Sequence, residues 1–328
     1  MKSQLITAIM LATPLLSSAQ TPKEYTTATW FDFKKSAITY SFDDGTPNQM
    51  PIAVPILDKY GFKATFNLVV DWVKDWEPFI NASNNGHEMA SHTISHPNFR
   101  EIDEQEQRRQ LEKSKQILEE KFGKPCITMV YPYCARGNDN IVAEYYISAR
   151  TCSGKSEPPT PKNMMDISSI ICGPEGDAVT ADDFNKAVAA AVPFNGWTTF
   201  LLHGVDGDGG YSPIKSSDFD AHLKYVSDNA SDYWVTTFAA ATKYLIERNS
   251  LIINEKKTSD GYLAEVSVGA ESPLTCFDQP ITVSRQLPKK WTSAKVFDGK
   301  KEVPTRIENG AIIFNVVPHH NYLIKQVK

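Results

Sequence analysis

An α/β fold with parallel strands, curling into a closed or partly closed barrel and followed by a small antiparallel β domain, is what this chain predicts. Three observations carry that expectation. β-rich runs alternate with helically spaced apolar residues over roughly two hundred residues, the pattern of successive βα units. Around eight such runs suit a barrel, in which active sites gather at the C-terminal strand ends. Past residue 254 convincing helices stop, and alternating runs take over with Asp298-Gly299 and Asn309-Gly310 between them, both strong hairpin turns.

The first barrel strand is read over residues 37–42, where Ile38, Thr39, Tyr40 and Phe42 are β-branched or aromatic. It ends on Asp43, Asp44 and Gly45. Neighbouring side chains on a strand point to opposite faces, so the two acids would diverge if extension continued. Gly45 lets the backbone turn, and both carboxylates can then converge on one site. Residues 50–60 have the helical spacing Ile52, Ile56, Leu57, Tyr60, with Gly61 as the C′ residue. A strand follows over 64–70, a stop at Asn84-Asn85-Gly86, and a third strand over 89–91 that leads to His92. Residues 101–122 form a long charged helix whose apolar stripe is Leu111, Leu118 and Phe122. Strands are expected over 127–133, 146–151, 169–172 and 198–205, with a proline-rich loop over 155–163. An alanine-rich helix capped near Thr180 covers 182–192. A last strand and helix span 235–238 and 239–247. Beyond them, residues 263–268, 281–285, 312–317 and 322–325 alternate as antiparallel strands do.

The chain has 328 residues, 41% hydrophobic and 22% charged, enough for a sizeable core and a second unit. With a net charge of -5 and no basic blocks, nucleic acid and anionic membranes are poor partners and a neutral substrate fits better. Lys2, the apolar run 5–16 and Ser17-Ser18-Ala19 read as a signal peptide of residues 1–19, so export to the periplasm or medium is expected. The apolar run is too short to span a bilayer, and no transmembrane span is expected after cleavage. The division that follows is 20–253 for the barrel and 254–328 for the β domain. The five cysteines, at 126, 134, 152, 172 and 276, include no C-x-x-C pair. A cysteine zinc site is therefore not expected; ordinary buried thiols are, and any disulfide pairing stays open.

Chemistry concentrates in three places. Asp43 and Asp44 are the first. His92 and His96 are the second: four apart on a turn of helix, both imidazoles reach one metal, and two histidines with one carboxylate make a catalytic rather than structural zinc pattern. His87 reads as a buried strand residue, not a third ligand. The third is His203, which ends an apolar strand before a glycine-rich loop and is suited to general acid work. Asp206-Gly207-Asp208 lacks the other ligands of an EF-hand and reads as a mobile loop at the site rim. His319 and His320 read as surface histidines.

In order and spacing, Ser41-Phe42-Asp43-Asp44-Gly45, Gly86-His87-Glu88, His92-Thr93-x-x-His96 and Leu201-x-His203 resemble the motifs of polysaccharide deacetylases, carbohydrate esterase family 4, over roughly residues 35–250. The resemblance implies a distorted (β/α) barrel and metal-dependent removal of acetyl groups from an acetylated oligo- or polysaccharide, a hydrolase acting on carbon-nitrogen bonds other than peptides. It further implies a divalent ion, Zn2+ first, held by Asp44, His92 and His96. Asp43 would be the base that activates the attacking water, the Tyr133 backbone N–H an oxyanion donor, and His203 the acid that protonates the leaving amine. The third motif departs from the family. An arginine followed by Pro-Pro-Tyr-Gly is usual, whereas Val130-Tyr131-Pro132-Tyr133-Cys134 stands here, without the arginine that pairs with the base. Arg150 is the candidate substitute and Arg136 a weaker one. The fourth motif is not visible in residues 151–170. O-acetyl esterase activity, or sugar binding without catalysis, are the alternative readings. Trp72 and Trp76 are the candidates for stacking on a sugar, while the aromatics of the β domain read as core.

Overall fold

The computed structural model describes residues 22–269 and 278–327. The signal-peptide segment and Cys276 lie outside the described residues. In chain order the elements are β1 (Tyr25–Thr27), β2 (Ser36–Asp43), α1 (Val54–Lys59), β3 (Thr65–Leu68), α2 (Glu77–Asn84), β4 (Glu88–Ser91), α3 (Glu104–Phe122), β5 (Thr128–Val130), α4 (Asp139–Val142), β6 (Ser148–Arg150), β7 (Ile170–Ile171), α5 (Ala181–Ala191), β8 (Trp197–Leu202), α6 (Ser216–Asp228), β9 (Tyr233–Val235) and α7 (Phe238–Ser250). The antiparallel strands are β10 (Leu251–Thr258), β11 (Gly261–Val268), β12 (Ile281–Gln286), β13 (Ala294–Asp298), β14 (Lys301–Val303), β15 (Arg306–Glu308), β16 (Ala311–Val316) and β17 (Asn321–Gln326).

Strands β2 to β9 form one parallel sheet in the order β6-β5-β4-β3-β2-β8-β7, with β9 beside the first half of β2 and β3 beside its second half. The sheet curls until its edges meet. Ala149 donates to Met164 O at 2.8 Å and Thr151 to Ile167 O at 2.8 Å, so β6 is joined to the residues that lead into β7. This is the distorted (β/α) barrel that the resemblance implies. β2 is buried along its whole length. Its alternation sends Tyr40 and Phe42 outward to the helices, where their rings lie 5.3 and 5.8 Å from Phe219 of α6. Thr39, Ser41 and Asp43 point inward. Trp197 Nε1 donates to Thr39 Oγ1 at 3.0 Å, and Asn67 Nδ2 to Ser41 Oγ at 2.8 Å. The interior is thus polar and hydrogen-bonded, as buried polar groups must be.

The helices end where their caps dictate. Asp103 accepts from Glu106 N at the start of α3, and Gly123 closes it at φ 62. Thr180 and Asp183 make a capping box on α5. α6 is an element missing from the sequence reading; it buries Phe219, His222, Leu223 and Val226 against the barrel. Two further sheets, β1-β12-β16-β15 and β10-β11-β17-β13-β14, are antiparallel throughout. The turns at Asp298-Gly299 and Asn309-Gly310 join β13 to β14 and β15 to β16, as expected. One core runs through both sheets and onto Trp30, Trp197, Phe238 and Tyr244. Because Ala37 and Trp197 lie at the N-terminal ends of β2 and β8, the β domain covers the end of the barrel opposite the strand ends that carry the acids. β1, although it precedes the barrel strands in sequence, pairs with β12, Tyr25 opposite Arg285. Among the described residues no helix is long and apolar enough to cross a membrane.

Candidate active site

Asp43 is the last residue of β2 and is buried. Asp44, the next residue, has φ 73, and Gly45 φ 66. Two successive left-handed residues cancel the alternation of the strand, so both carboxylates face the same end of the barrel. A side chain at Gly45 would meet Leu68 and Phe79 at 3.3 Å in a conformation that L-residues rarely adopt. The histidine pair reaches the same point by a different route from the one expected. Residues 92–96 are not a turn of helix: Thr93 and His96 have φ 71 and 60, and the segment is an irregular loop after β4. Gln110 of α3 holds this loop, its Oε1 accepting from Ile94 N at 2.9 Å and Ser95 N at 3.2 Å.

His92 Nε2 lies 3.5 Å from Asp44 Oδ1, His96 Nε2 lies 3.8 Å from the same oxygen, and the two Nε2 atoms are 3.1 Å apart. Among the described residues these three are the cluster that could hold a metal ion. The donor set fits one. His92 Nδ1, 3.0 Å from Val130 O, donates there, which leaves the Nε2 lone pair turned inward. Asp44 Oδ1 is buried with no hydrogen-bond partner among the described residues, a costly state for a carboxylate unless a cation shares the site. Electrostatics agree. Burial, together with the charge of Asp43 next to it, pushes the Asp44 carboxyl up to about 7. Burial pushes His92 down to about 3 and also lowers His96, so both imidazoles are neutral ligands near pH 7.

Asp43 differs from its neighbour. Burial is the largest single influence and would raise its pKa, but the guanidinium of Arg150 and the nearby His92 and His203 together outweigh burial, and the net shift is downward. Arg150 Nη2 is 2.5 Å from Asp43 Oδ2, and both groups are buried. Asn67 Nδ2 donates to the other oxygen at 2.8 Å. Arg150 ends β6 and reaches across the barrel, its Nη1 donating to Ser169 Oγ at 3.1 Å. It therefore gives Asp43 the arginine partner that residues 130–134 do not supply. Arg136 does not, being engaged by Asp139 and by Asp166 at 2.7 Å.

His203 follows β8 and is held at its backbone, where its carbonyl accepts from Thr46 Oγ1 at 3.0 Å and from Gln49 Nε2 at 3.1 Å. Gln49 Nε2 also donates to Asp43 O at 2.6 Å, clipping the ends of β2 and β8 together. Burial lowers the His203 pKa, and its Nδ1 has no hydrogen-bond partner among the described residues. The charge of Asp43 acts against burial there, but among the described residues no acid accepts a hydrogen bond from its Nδ1. Tyr133 lies in a turn after β5 at φ 56, its ring 69% exposed and edge-on to His96 at 4.5 Å. Trp72, 48% exposed, covers the other side of His96 at 4.9 Å, and Tyr211 stands 5.0 Å from His203. A cavity of about 1010 Å³ opens from Asp44 past Trp72, Met50 and Phe79 to Tyr211.

Other expectations are corrected. Trp76 is not at the site; it packs on Phe122 at 5.9 Å beneath Lys121. The loop at 206–213 is hydrogen-bonded to its neighbours, Asp206 accepting from Ser216 N at 2.8 Å and Asp208 from Asn48 N at 3.1 Å. Cys134 and Cys152 are not thiols but a disulfide, whereas Cys126 and Cys172 are buried thiols. His87 is buried and accepts from Ala64 N at 3.2 Å, away from the cluster. Asn67 and Gln49 escaped the sequence reading. An asparagine in the middle of a β-rich run, where that residue is depleted, was a signal for the first.

Residues 32–146 match the family model described as polysaccharide deacetylase. A gellan lyase from Bacillus sp. is 25% identical over 299 residues, covering 84% of this chain and 12% of that protein. A peptidoglycan-N-acetylglucosamine deacetylase from Bacillus cereus is 33% identical over 90 residues, 26% of this chain and 32% of that protein. The chain thus spans less than two thirds of the length of these relatives. In fold it is similar to a solved Mycobacterium smegmatis structure named for the polysaccharide deacetylases, with a TM-score of 0.55 at 17% identity over 68% of this chain and 94% of that one.

Proposed function

We propose that this chain, whose residues 32–146 match the polysaccharide deacetylases, is a hydrolase of carbohydrate esterase family 4 that frees acetate from an acetylated glycan, with an N-acetylamino sugar as the first substrate class and Zn2+ as the ion. The observation that carries this reading is the convergence of Asp44 Oδ1, His92 Nε2 and His96 Nε2 beside an Asp43 held ionised by Arg150. A divalent ion bound there would supply Lewis acidity, lowering the pKa of water from about 16 to about 7 and polarising the acetyl carbonyl.

The roles of the protein's own groups follow from where they stand. Asp43, ionised and fixed by Arg150 and Asn67, takes the proton of the attacking water. Its rigid hold matters, because a base must meet that proton within hydrogen-bond reach. The Tyr133 N–H donates to the carbonyl oxygen as charge develops on it; one such donor contributes roughly 3–4 kcal/mol. The proton that Asp43 takes from water passes to His203, which hands it to the leaving sugar nitrogen, so that both groups return to their starting states. Trp72 and Tyr211 flank the cavity as flat apolar walls against which a pyranose ring can lie. The reading includes export, from Lys2 and the apolar run that follows, and the Cys134–Cys152 disulfide fits an oxidising compartment. N-terminal sequencing of mature protein tests that part; an intact Met1 would refute it.

Acetate release from N-acetylated and O-acetylated oligosaccharides, with metal removed and restored, tests the rest. Release confined to the metal-loaded protein and to N-acetyl substrates supports the reading. Release from O-acetyl substrates alone makes the chain an esterase, and metal and sugar binding without any acetate makes it a binding protein.

A further inference from the structure

We infer that the Cys134–Cys152 disulfide is a positioning link for the reaction, fastening the turn that presents the Tyr133 N–H to the strand that delivers Arg150. The inference rests on the hydrolase reading above. β5 and β6 pair only as far as Val130 and Arg150, with Tyr131 N adding one more bond to Arg150 O at 3.2 Å. Beyond that point the chains part, just where the turn bearing Tyr133 must be held. The disulfide crosses this gap: Cys134 follows Tyr133 directly, and Cys152 stands two residues past Arg150.

The turn needs a tether. Tyr133 and Cys134 both have left-handed φ, 56 and 54, a region that side chains disfavour and glycine enters freely. The Tyr133 ring is mostly exposed and packs little beyond the edge of His96. Two hydrogen bonds close the turn on itself, Cys134 N to Tyr131 O at 3.1 Å and Ala135 N to Pro132 O at 2.9 Å. The next tie along the chain is Arg136, with Asp139 and Asp166. Arg150 is secured independently by Asp43 and Ser169. Opening the disulfide should therefore release the oxyanion donor and leave the base as it was.

The test uses the full metal-loaded chain, oxidised and after reduction by a phosphine; both cysteines are partly exposed, so the reagent can reach them. Reduction is expected to lower kcat by about 10- to 100-fold, the order expected for a displaced donor, with KM within about threefold. The acid limb of the pH profile stays in place, because Asp43 keeps Arg150. Cys134→Ala/Cys152→Ala reproduces the loss, and Cys134→Gly/Cys152→Ala regains a large part of kcat, since glycine adopts the left-handed turn without the link. Amide exchange at Cys134 and Ala135 rises at least about tenfold on reduction, a reading that needs no activity. A kcat within about twofold of the oxidised value, or unchanged exchange, overturns the inference, as does an equal loss in the two double variants. If the oxidised chain frees no acetate at all, the hydrolase reading falls, and the exchange experiment alone decides the link.

Discussion

Replacing Arg150 by methionine removes the charge and keeps most of the volume, so its effect reads the Asp43–Arg150 pair directly. Both partners are buried, with 2.5 Å between nitrogen and oxygen. Charge centres about 4 Å apart interact by about 4 kcal/mol at an effective dielectric of 20, equivalent to about 3 pKa units. Arginine beside an aspartate commonly lowers its pKa by about 1–3 units, which sets the expected range. The sign follows from the direction of the shift. Asp43 is held low in the folded protein, so ionised base is present above that pKa and is lost as pH falls through it. Without Arg150, burial prevails, the folded pKa climbs, and the acid limb of kcat/KM moves to higher pH by about 1–3 units. Stability should drop by about 3–5 kcal/mol, because a buried carboxylate is left with Asn67 alone. The assays are acetate release against pH and urea unfolding, both repeated in an Asp43→Asn background. There the same substitution at Arg150 should no longer move a limb, and its stability cost should change by more than about 1 kcal/mol. An acid limb within about 0.3 unit of the parent, at a pH where acetate release is measurable, would refute the pairing as the source of the base's ionisation.

Three further outcomes are expected. Zinc at about a hundred times its dissociation constant should stabilise the protein by about 2.7 kcal/mol in thermal or urea unfolding, and Asp44→Asn should remove most of that gain; equal gains in both would place the ion elsewhere. Trp72→Ala should raise KM by about 3- to 10-fold with a smaller change in kcat, as befits an exposed ring worth roughly 1 kcal/mol to a bound sugar, and an unchanged KM would count against stacking. His222, wholly buried, is pushed down to about 3 by burial and is fully used as a neutral ring, with Tyr40 Oη 2.8 Å from Nε2 and Asn185 Oδ1 2.7 Å from Nδ1. The unfolded chain binds its proton near pH 6.5 and the folded chain does not until about pH 3. This residue therefore costs stability as pH falls through that window, about 2 kcal/mol between pH 7 and 5. His222→Gln should flatten the urea midpoint over those two pH values relative to the parent; an identical slope would rule the histidine out.

What could be read from residues alone was what local chemistry dictates. The strand into Asp43-Asp44-Gly45, the glycine after α1, the capped α5 and the two Gly-containing hairpins all state their geometry within a few residues. The charged end of β6 could be nominated as the base's partner, because an arginine closing a strand faces into or out of a barrel and few others were free to serve. The rest depended on contacts remote in sequence. α6 follows a glycine-rich loop, and its buried face includes a histidine, which breaks the apolar stripe that would have announced it. The histidine pair converges through left-handed residues at 93 and 96, held by Ser91 and Thr93 hydroxyls within the loop and by Gln110 reaching in from α3, a contact remote in sequence. The disulfide needs β5 and β6 to be neighbours, and nothing in cysteine spacing says so. Trp76, equal to Trp72 by position, was drawn away by Phe122 and Lys121.

The short strand at Tyr25 has its partner at the far end of the chain, in β12. Between them lie the whole barrel with its site and the first two strands of the second antiparallel sheet. Segments that precede and follow the barrel are thereby sewn into the same patch, behind its floor, and Trp30 is walled in by residues from either side of the seam. The mouth of the barrel, where β2 ends on the two acids, therefore lies on the side away from this seam.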